Sequence, residues 1–299
     1  MARRQPSASD VGFDPRITPA REDLAAAYLK DRVVAPRYVS GTLHEVASAL
    51  APMHREPDLS APVDTELLMG ERVTVYDAAA GWAWAQAEHD RYVGYVLADA
   101  LARPHDPPTH KVMAPASRLY LEPSAKALAS AHLSFGCRLR IPGERGHGAF
   151  ARVITHAGER YVPLAHIAPI AARAPDFVGI AEGLVGVPYL WGGRSSLGID
   201  CSALVQLSLA AAGVAAPRDS DHQRLALGVS IGGPGQLGSL SRGDLIFWDS
   251  HVAIALDARR IVHANAKAMA VSIDDLIAFA GDAEESAGPI REIKRLARD

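Results

Sequence analysis

The alternation of apolar and polar positions changes rhythm three times along the chain. In Thr18-Pro19-Ala20-Arg21-Glu22-Asp23-Leu24-Ala25-Ala26-Ala27-Tyr28-Leu29 the apolar residues cluster behind Thr18, a good N-cap, with Pro19 at the first helical position. That pattern predicts a short helix, preceded by a frayed tail over residues 1–12. From residue 33 the chain breaks into short alternating β-branched and aromatic pieces with turn residues every ~8–12 positions, which predicts small barrels or sandwiches. From Asp176 it predicts a helix over Phe177 to Val185, a loop, and a second helix over Ser202 to Ala212, stopped by Gly213. A glycine-rich loop and several strands follow. Helices grouped ahead of strands indicate an α+β domain.

The strand-rich stretch repeats itself. Ala51-Pro52, Leu67-Leu68-Met69-Gly70, Val73-Thr74-Val75, Gly81-Trp82 and Arg91-Tyr92-Val93 are matched by Ala114-Pro115, Leu133-Ser134-Phe135-Gly136, Leu139-Arg140-Ile141, Gly148-Ala149-Phe150 and Arg160-Tyr161-Val162. The organisation that follows is a tail and short helix over 1–39, a first barrel over 40–106, a second over 107–172, and the α+β domain over 173–299.

Composition narrows the function. The chain has 299 residues and a net charge of −3, with no long basic run, so a nucleic-acid partner bound through phosphates is not expected. Two cysteines, Cys137 and Cys201, exclude a disulfide framework, and no CxxC or HExxH spacing suggests a metal or other cofactor. No stretch of about 18 apolar residues is present, so no membrane partner is expected. Gln5-Pro6-Ser7-Ala8-Ser9-Asp10 stands where a signal peptide would carry its apolar segment, and the expectation is a soluble, cytoplasmic protein.

The candidate chemistry lies in the last domain. Asp200 reads as a helix N-cap, which puts Cys201 in the first turn, where the helix dipole favours a thiolate and lowers its pKa. Cys137 reads as a core residue in a strand of the second barrel. The base is sought among strands around His251 and His263. If Asp257-Ala258-Arg259 forms a three-residue hairpin loop, Leu256 faces Arg260 and Ala253 faces His263, so the two imidazoles are diagonal neighbours on one face. A four-residue loop would separate them. His222 is a rival base, set aside because a polar, substrate-facing or solvent-facing position suits it better. Gly233-Pro234-Gly235-Gln236-Leu237-Gly238 spells GxGxxG but opens no helix, so it reads as a loop.

Gly186-Val187-Pro188-Tyr189-Leu190-Trp191-Gly192-Gly193, Asp200-Cys201-Ser202, Arg242-Gly243-Asp244-Leu245, His251-Val252 and Val262-His263-Ala264 together resemble the NlpC/P60 family of papain-like cysteine peptidases. The two β modules resemble bacterial Src-homology-three-like barrels. This resemblance implies Cys201 as nucleophile, His251 as general base and acid, His263 as the residue orienting it, and the Cys201 N–H as oxyanion donor. The combination with two barrels resembles the γ-D-glutamyl–diamino acid endopeptidases of dipeptidyl-peptidase type, which act on cell-wall peptides with a free N-terminal L-Ala in murein recycling. By that resemblance Tyr92, Glu66 (with Glu71 as competitor), Tyr189, Asp200, Ser202, Asp219 and Ser220 form the substrate pocket. An amidase or acyltransferase using the same thiol, or an inert wall-peptide binding module, are the alternative readings.

Overall fold

The structure, a computed structural model, describes residues 13–143 and 148–297; the tail expected over residues 1–12 lies outside them. Alternation in the first β module produces a seven-stranded sheet. Its order is Leu101–Ala102, Thr42–Val46, Arg72–Ala79, Trp82–Ala87, Val93–Leu97, Leu50–His54 and Val63–Leu68. Ala79 pairs with Trp82 across a two-residue turn in which Ala80 and Gly81 both take positive φ, as a tight hairpin requires. Met53, Leu67, Val73, Ala85 and Val96 point into the barrel and form its core.

The helix expected over Thr18 to Leu29 does not form. Ala20–Arg21 and Leu24–Ala26 are instead an antiparallel pair, followed by a 3-10 turn over Ala27–Leu29. Leu24–Ala26 also pairs, in parallel, with Tyr38–Val39. Leu24, Ala25 and Ala26 are completely buried, on a surface that includes Tyr76 and Trp84. A helix would hide one stripe of this segment, whereas the ribbon hides three successive residues, so packing overrides helix propensity.

The second module splits into two sheets. Arg138–Leu139, His110–Val112 and Ile167–Pro169 form one; Ala129–Ser134, Ala116–Tyr120, Gly158–Pro163 and Phe150–Thr155 form the other. Cys137 lies in the turn before Arg138–Leu139 rather than within a strand, fully buried, and burial pushes its thiol up to about 12. It is a core residue.

In the last domain, helix α1 (Phe177–Glu182) ends at Gly183, short of the expected Val185. Helix α2 (Cys201–Ala211) starts one residue before the expected Ser202 because Asp200 caps it, its carboxylate accepting the Ala203 N–H at 2.8 Å. From Cys201 to Leu209 every residue of α2 is buried, so it is a central helix rather than a surface one. Helix α3 (Ser220–Ala226) and helix α4 (Leu276–Ala287) complete the helical part; α4 has no counterpart in the sequence reading. The sheet is antiparallel throughout, in the order Val229–Gly232, Glu292–Arg295, Leu245–Phe247, Val252–Ala255, Arg260–Asn265 and Ala270–Asp275. The GxGxxG spelling forms a 3-10 turn, Pro234–Ser239, with no parallel strand beside it, and is no dinucleotide loop.

Candidate active site

The Val252–Ala255 and Arg260–Asn265 strands pair Ala255 with Ile261 and Ile254 with Val262, and the Leu256 N–H donates to the Arg260 carbonyl at 2.8 Å. This is the register of the three-residue loop, and it brings the imidazoles together: His251 Nε2 and His263 Nδ1 are 2.8 Å apart. The line continues. His263 Nε2 lies 2.8 Å from Asp274 Oδ2, which also accepts from the Ser272 hydroxyl at 2.6 Å. Asn265 Nδ2 approaches the same imidazole nitrogen at 3.1 Å, but the carboxylate is the charged acceptor and sets the tautomer. His263 then donates from Nε2 to Asp274 and accepts at Nδ1 from His251 Nε2–H. That leaves His251 Nδ1 as a lone pair.

Asp274 was not singled out in the sequence. The signal was available: His263 faces Ser272 across the next ladder, so Asp274 is its same-face diagonal neighbour. Phe279, from the unanticipated α4, packs edge-on against His263 with ring centroids 4.3 Å apart and also meets His251.

Cys201 sits at the start of α2, where the N–H groups of Val252 and Ser202 reach its sulfur. Val252 directly follows His251 in the chain, so the thiol meets the backbone next to the base. The depressed thiol pKa expected from the helix dipole is not what these surroundings produce. Burial, reinforced by the Asp200 carboxylate, pushes the thiol up to about 12 against the weaker pull of the N–H groups and Arg218. His251 moves the opposite way, down to about 3, through burial and its neighbour His263. His263 is also lowered by burial, with Asp274 opposing. The resting pair is therefore a neutral thiol and a neutral imidazole. Tyr189 lies close enough for Cys201 and Asp200 to add to the burial that raises its phenol to about 12, so its hydroxyl stays a donor.

The residues expected to bind substrate divide into two groups. Asp200 and Ser202 are held in a buried network: Arg218 donates to both Asp200 oxygens at 3.0 and 2.6 Å, to Ser202 Oγ at 2.8 Å, and to Thr65 of the first barrel at 2.8 Å. The second Asp200 oxygen also takes the Gly192 N–H at 3.0 Å. These contacts saturate the Asp200 carboxylate, and it serves as cap and anchor of the nucleophile's helix. Glu66 reaches the interface but turns to the Arg194 N–H at 2.8 Å and to Ser195. Its competitor Glu71 is committed to a buried pair with Arg194, both guanidinium Nη atoms lying within 3.1 Å of its oxygens.

Tyr92 and Asp219 do meet. The phenol of the first barrel donates to Asp219 Oδ2 at 3.3 Å. Asp219 occupies the N-cap position of α3, yet its side chain caps nothing and points to Tyr92 instead. Burial raises its pKa, with Arg218 and Arg16 pulling the other way. Ser220 opens α3, half-buried, its hydroxyl without a hydrogen bond among the described residues. His222, on α3, bonds to Asp14 at 2.8 Å, away from the thiol.

Comparison with known proteins agrees with this geometry. Residues 186–278, which carry Cys201, His251, His263 and Asp274, match the NlpC/P60 family, and residues 53–101 match the bacterial dipeptidyl-peptidase Sh3 domain. The last domain is thus an NlpC/P60 domain, preceded by a bacterial Sh3 domain. Two relatives are named gamma-D-glutamyl-L-lysine dipeptidyl-peptidase. The Bacillus subtilis protein is 28% identical over 62% of this chain and 64% of its own length, so the match spans less than two thirds of that relative. The Bacillus cereus protein is 27% identical over 77% of this chain and 75% of its own. An NlpC/P60 family protein of Bacillus cereus, known from its crystal structure, superposes with a TM-score of 0.72, covering 86% of this chain and all of that one at 20% identity, and so shares the fold.

Proposed function

We propose that this NlpC/P60 protein is a cysteine peptidase that hydrolyses the γ-D-glutamyl–diamino acid bond of cell-wall peptides with a free N-terminal L-Ala. The observation that carries the reading is the Tyr92–Asp219 contact. A phenol from the first barrel and a carboxylate from the peptidase domain meet, 127 residues apart in sequence, in the domain that holds Cys201. A half-buried carboxylate with a hydroxyl beside it suits a substrate ammonium.

In this mechanism the His251 Nδ1 lone pair takes the Cys201 proton as the sulfur attacks the γ-carbonyl carbon. Proton transfer accompanies attack because both partners rest neutral. The Cys201 N–H at the start of α2 steadies the oxyanion, and Tyr189 adds a second donor. Collapse expels the diamino acid, its amine taking the proton back from His251, and leaves a thioester. Water, deprotonated by the same imidazole, then releases L-Ala-γ-D-Glu. His263 and Asp274 hold His251 in the tautomer that makes this possible.

Free peptides in murein recycling, met in the cytoplasm, complete the proposal, and the names of the two Bacillus relatives support its bond specificity. The test uses L-Ala-γ-D-Glu-meso-diaminopimelate and its N-acetylated form, with diamino acid release followed by mass spectrometry. Release from the free-amine peptide, its loss on N-acetylation, and its abolition in a folded Cys201→Ala variant are expected. Equal rates on both peptides remove the amine-recognition claim, and activity retained without Cys201 removes the mechanism.

A further inference from the structure

Asp219 has a second partner, one that no motif announces. Arg16, from the segment preceding the first barrel, places Nη1 2.8 Å from Asp219 Oδ2, across 203 residues of sequence. The guanidinium is held by two further carboxylates. Asp14 takes Nε and Nη2 at 3.1 and 2.6 Å, and Asp221 takes Nη1 and Nη2 at 3.0 and 2.7 Å. The backbone is pinned as firmly. The Val93 N–H donates to the Arg16 carbonyl at 2.8 Å, and Gln86 Nε2 donates to the Ile17 carbonyl at 2.8 Å. The segment is thus a strap lying on the first barrel beside Tyr92, with its guanidinium projecting into the peptidase domain.

Asp219, Asp221 and His222 are spaced closely enough to hold a cation, and the guanidinium already occupies that position. The cluster is therefore an arginine seat rather than a metal site. Within it the division of labour is uneven. Asp14 and Asp221 secure Arg16, and hydrogen bonding to it holds Asp14, in spite of partial burial, at about 2. Asp219 contributes only Oδ2, which it shares with the Tyr92 hydroxyl; Oδ1 has no hydrogen bond among the described residues.

We propose that Arg16 is a positioning residue for amine recognition: it clamps Oδ2 of Asp219 together with Tyr92 and so presents Oδ1 to the substrate ammonium. This rests on the reading above that the pocket takes a free N-terminus. Arg16 also places a positive charge next to a half-buried carboxylate, so Asp219 stays ionised at a lower pH than burial alone would allow. Two effects of removing Arg16 then oppose each other. Taking a cation out of an acid-rich cluster strengthens the attraction for an ammonium. Releasing Asp219 from its clamp weakens it. The sign of the change identifies which one governs.

The experiment compares wild type, Arg16→Ala, Arg16→Lys and an Asp14→Asn/Asp221→Asn double variant on the free-amine and N-acetylated peptides. Positioning predicts that Arg16→Ala raises KM for the free-amine peptide about tenfold with kcat within about twofold. It also predicts that this rise grows as the pH is lowered, because Asp219 protonates sooner. Lysine, a single point charge in place of a planar fork, restores part of the loss, and the double variant, with Asp219 intact and Arg16 unanchored, shifts KM in the same direction by less. A KM that falls or stays constant in Arg16→Ala overturns the proposal, as does an equal loss in Arg16→Ala and Arg16→Lys. A wild type that does not distinguish the two peptides removes the amine-recognition reading and this inference together. A wild type that does, beside an unchanged Arg16→Ala, removes this inference alone. Equal Tm values for all four proteins establish that the shifts are not unfolding.

Discussion

The line from His251 to Asp274 and the cluster around Asp219 are both anchored in the last domain, yet they are assembled in different ways. The first draws on consecutive antiparallel strands, its hydrogen bonds joining residues 12 and 11 positions apart. The second needs partners 127 and 203 positions away, one on the first barrel and one on the strap before it. The local site is set by strand register, so a single loop length decides whether it exists. The distant one exists only when the barrel and strap are seated on the peptidase domain, and its parts have other structural duties nearby. On the proposed function, peptide-bond chemistry is thereby separated from the choice of substrate: the proton-carrying groups are built into one sheet, and amine selectivity is assigned to how the domains pack.

Three further measurements sharpen this separation. The largest effect is expected at the distant pocket. Asp219→Asn, which removes a charged acceptor but keeps the shape, should lower kcat/KM about 30-fold for the free-amine peptide, in keeping with ~2 kcal/mol for a charge-assisted hydrogen bond. The loss should appear chiefly as a rise in KM; a fall in kcat with KM unchanged would place Asp219 in the chemistry instead. Next comes Asp274→Asn, which leaves His263 without its anionic acceptor. A drop in kcat of about tenfold with KM unchanged is expected, and a rise in KM would break the assignment of this line to proton handling.

The smallest effect concerns stability. His251 is held neutral down to about 3, while the unfolded chain takes up a proton there below about 6.5. The unfolded state binds more protons in that window, so stability is lost as the pH falls through it, by at most about 1.4 kcal/mol per pH unit for this one group. Urea titrations between about pH 7 and about pH 5 should show a shallower loss in His251→Asn than in wild type. Parallel curves would mean that His251 titrates normally in the fold.

Several expectations survive contact with the structure because their causes are short-range. The Asp200 cap, the helix behind Cys201 and the three-residue turn at Asp257-Ala258-Arg259 depend on residues close in sequence, and each forms, with α2 shifted by one position. Others fail for a common reason. The segment Thr18 to Leu29 has a helical pattern, but its apolar residues are claimed by the barrel surface around Trp84. Cys201 stands at a helix N-terminus, but burial and Asp200 outweigh the dipole. Asp200 has the right chemistry for substrate, but Arg218 occupies both of its oxygens. In each case the packing around the residue, and not its local pattern, decides the outcome.

By itself the sequence determined the elements whose energetics are local: the alternating strands, the cap before Cys201, and the spacing that sets His251 against His263. Tertiary structure alone decided which carboxylates were consumed and which remained open. Glu71 and Asp200 are paired on burial with Arg194 and Arg218, whereas among the described residues Asp219 keeps one oxygen without a hydrogen bond. The physical reason is that a buried charge must find a counter-charge or donors, and those come from whatever surface the fold brings alongside. Arg16 shows this most plainly. Nothing near it in sequence marks it as part of a site, yet the packing of strap, barrel and peptidase domain delivers its guanidinium to Asp219.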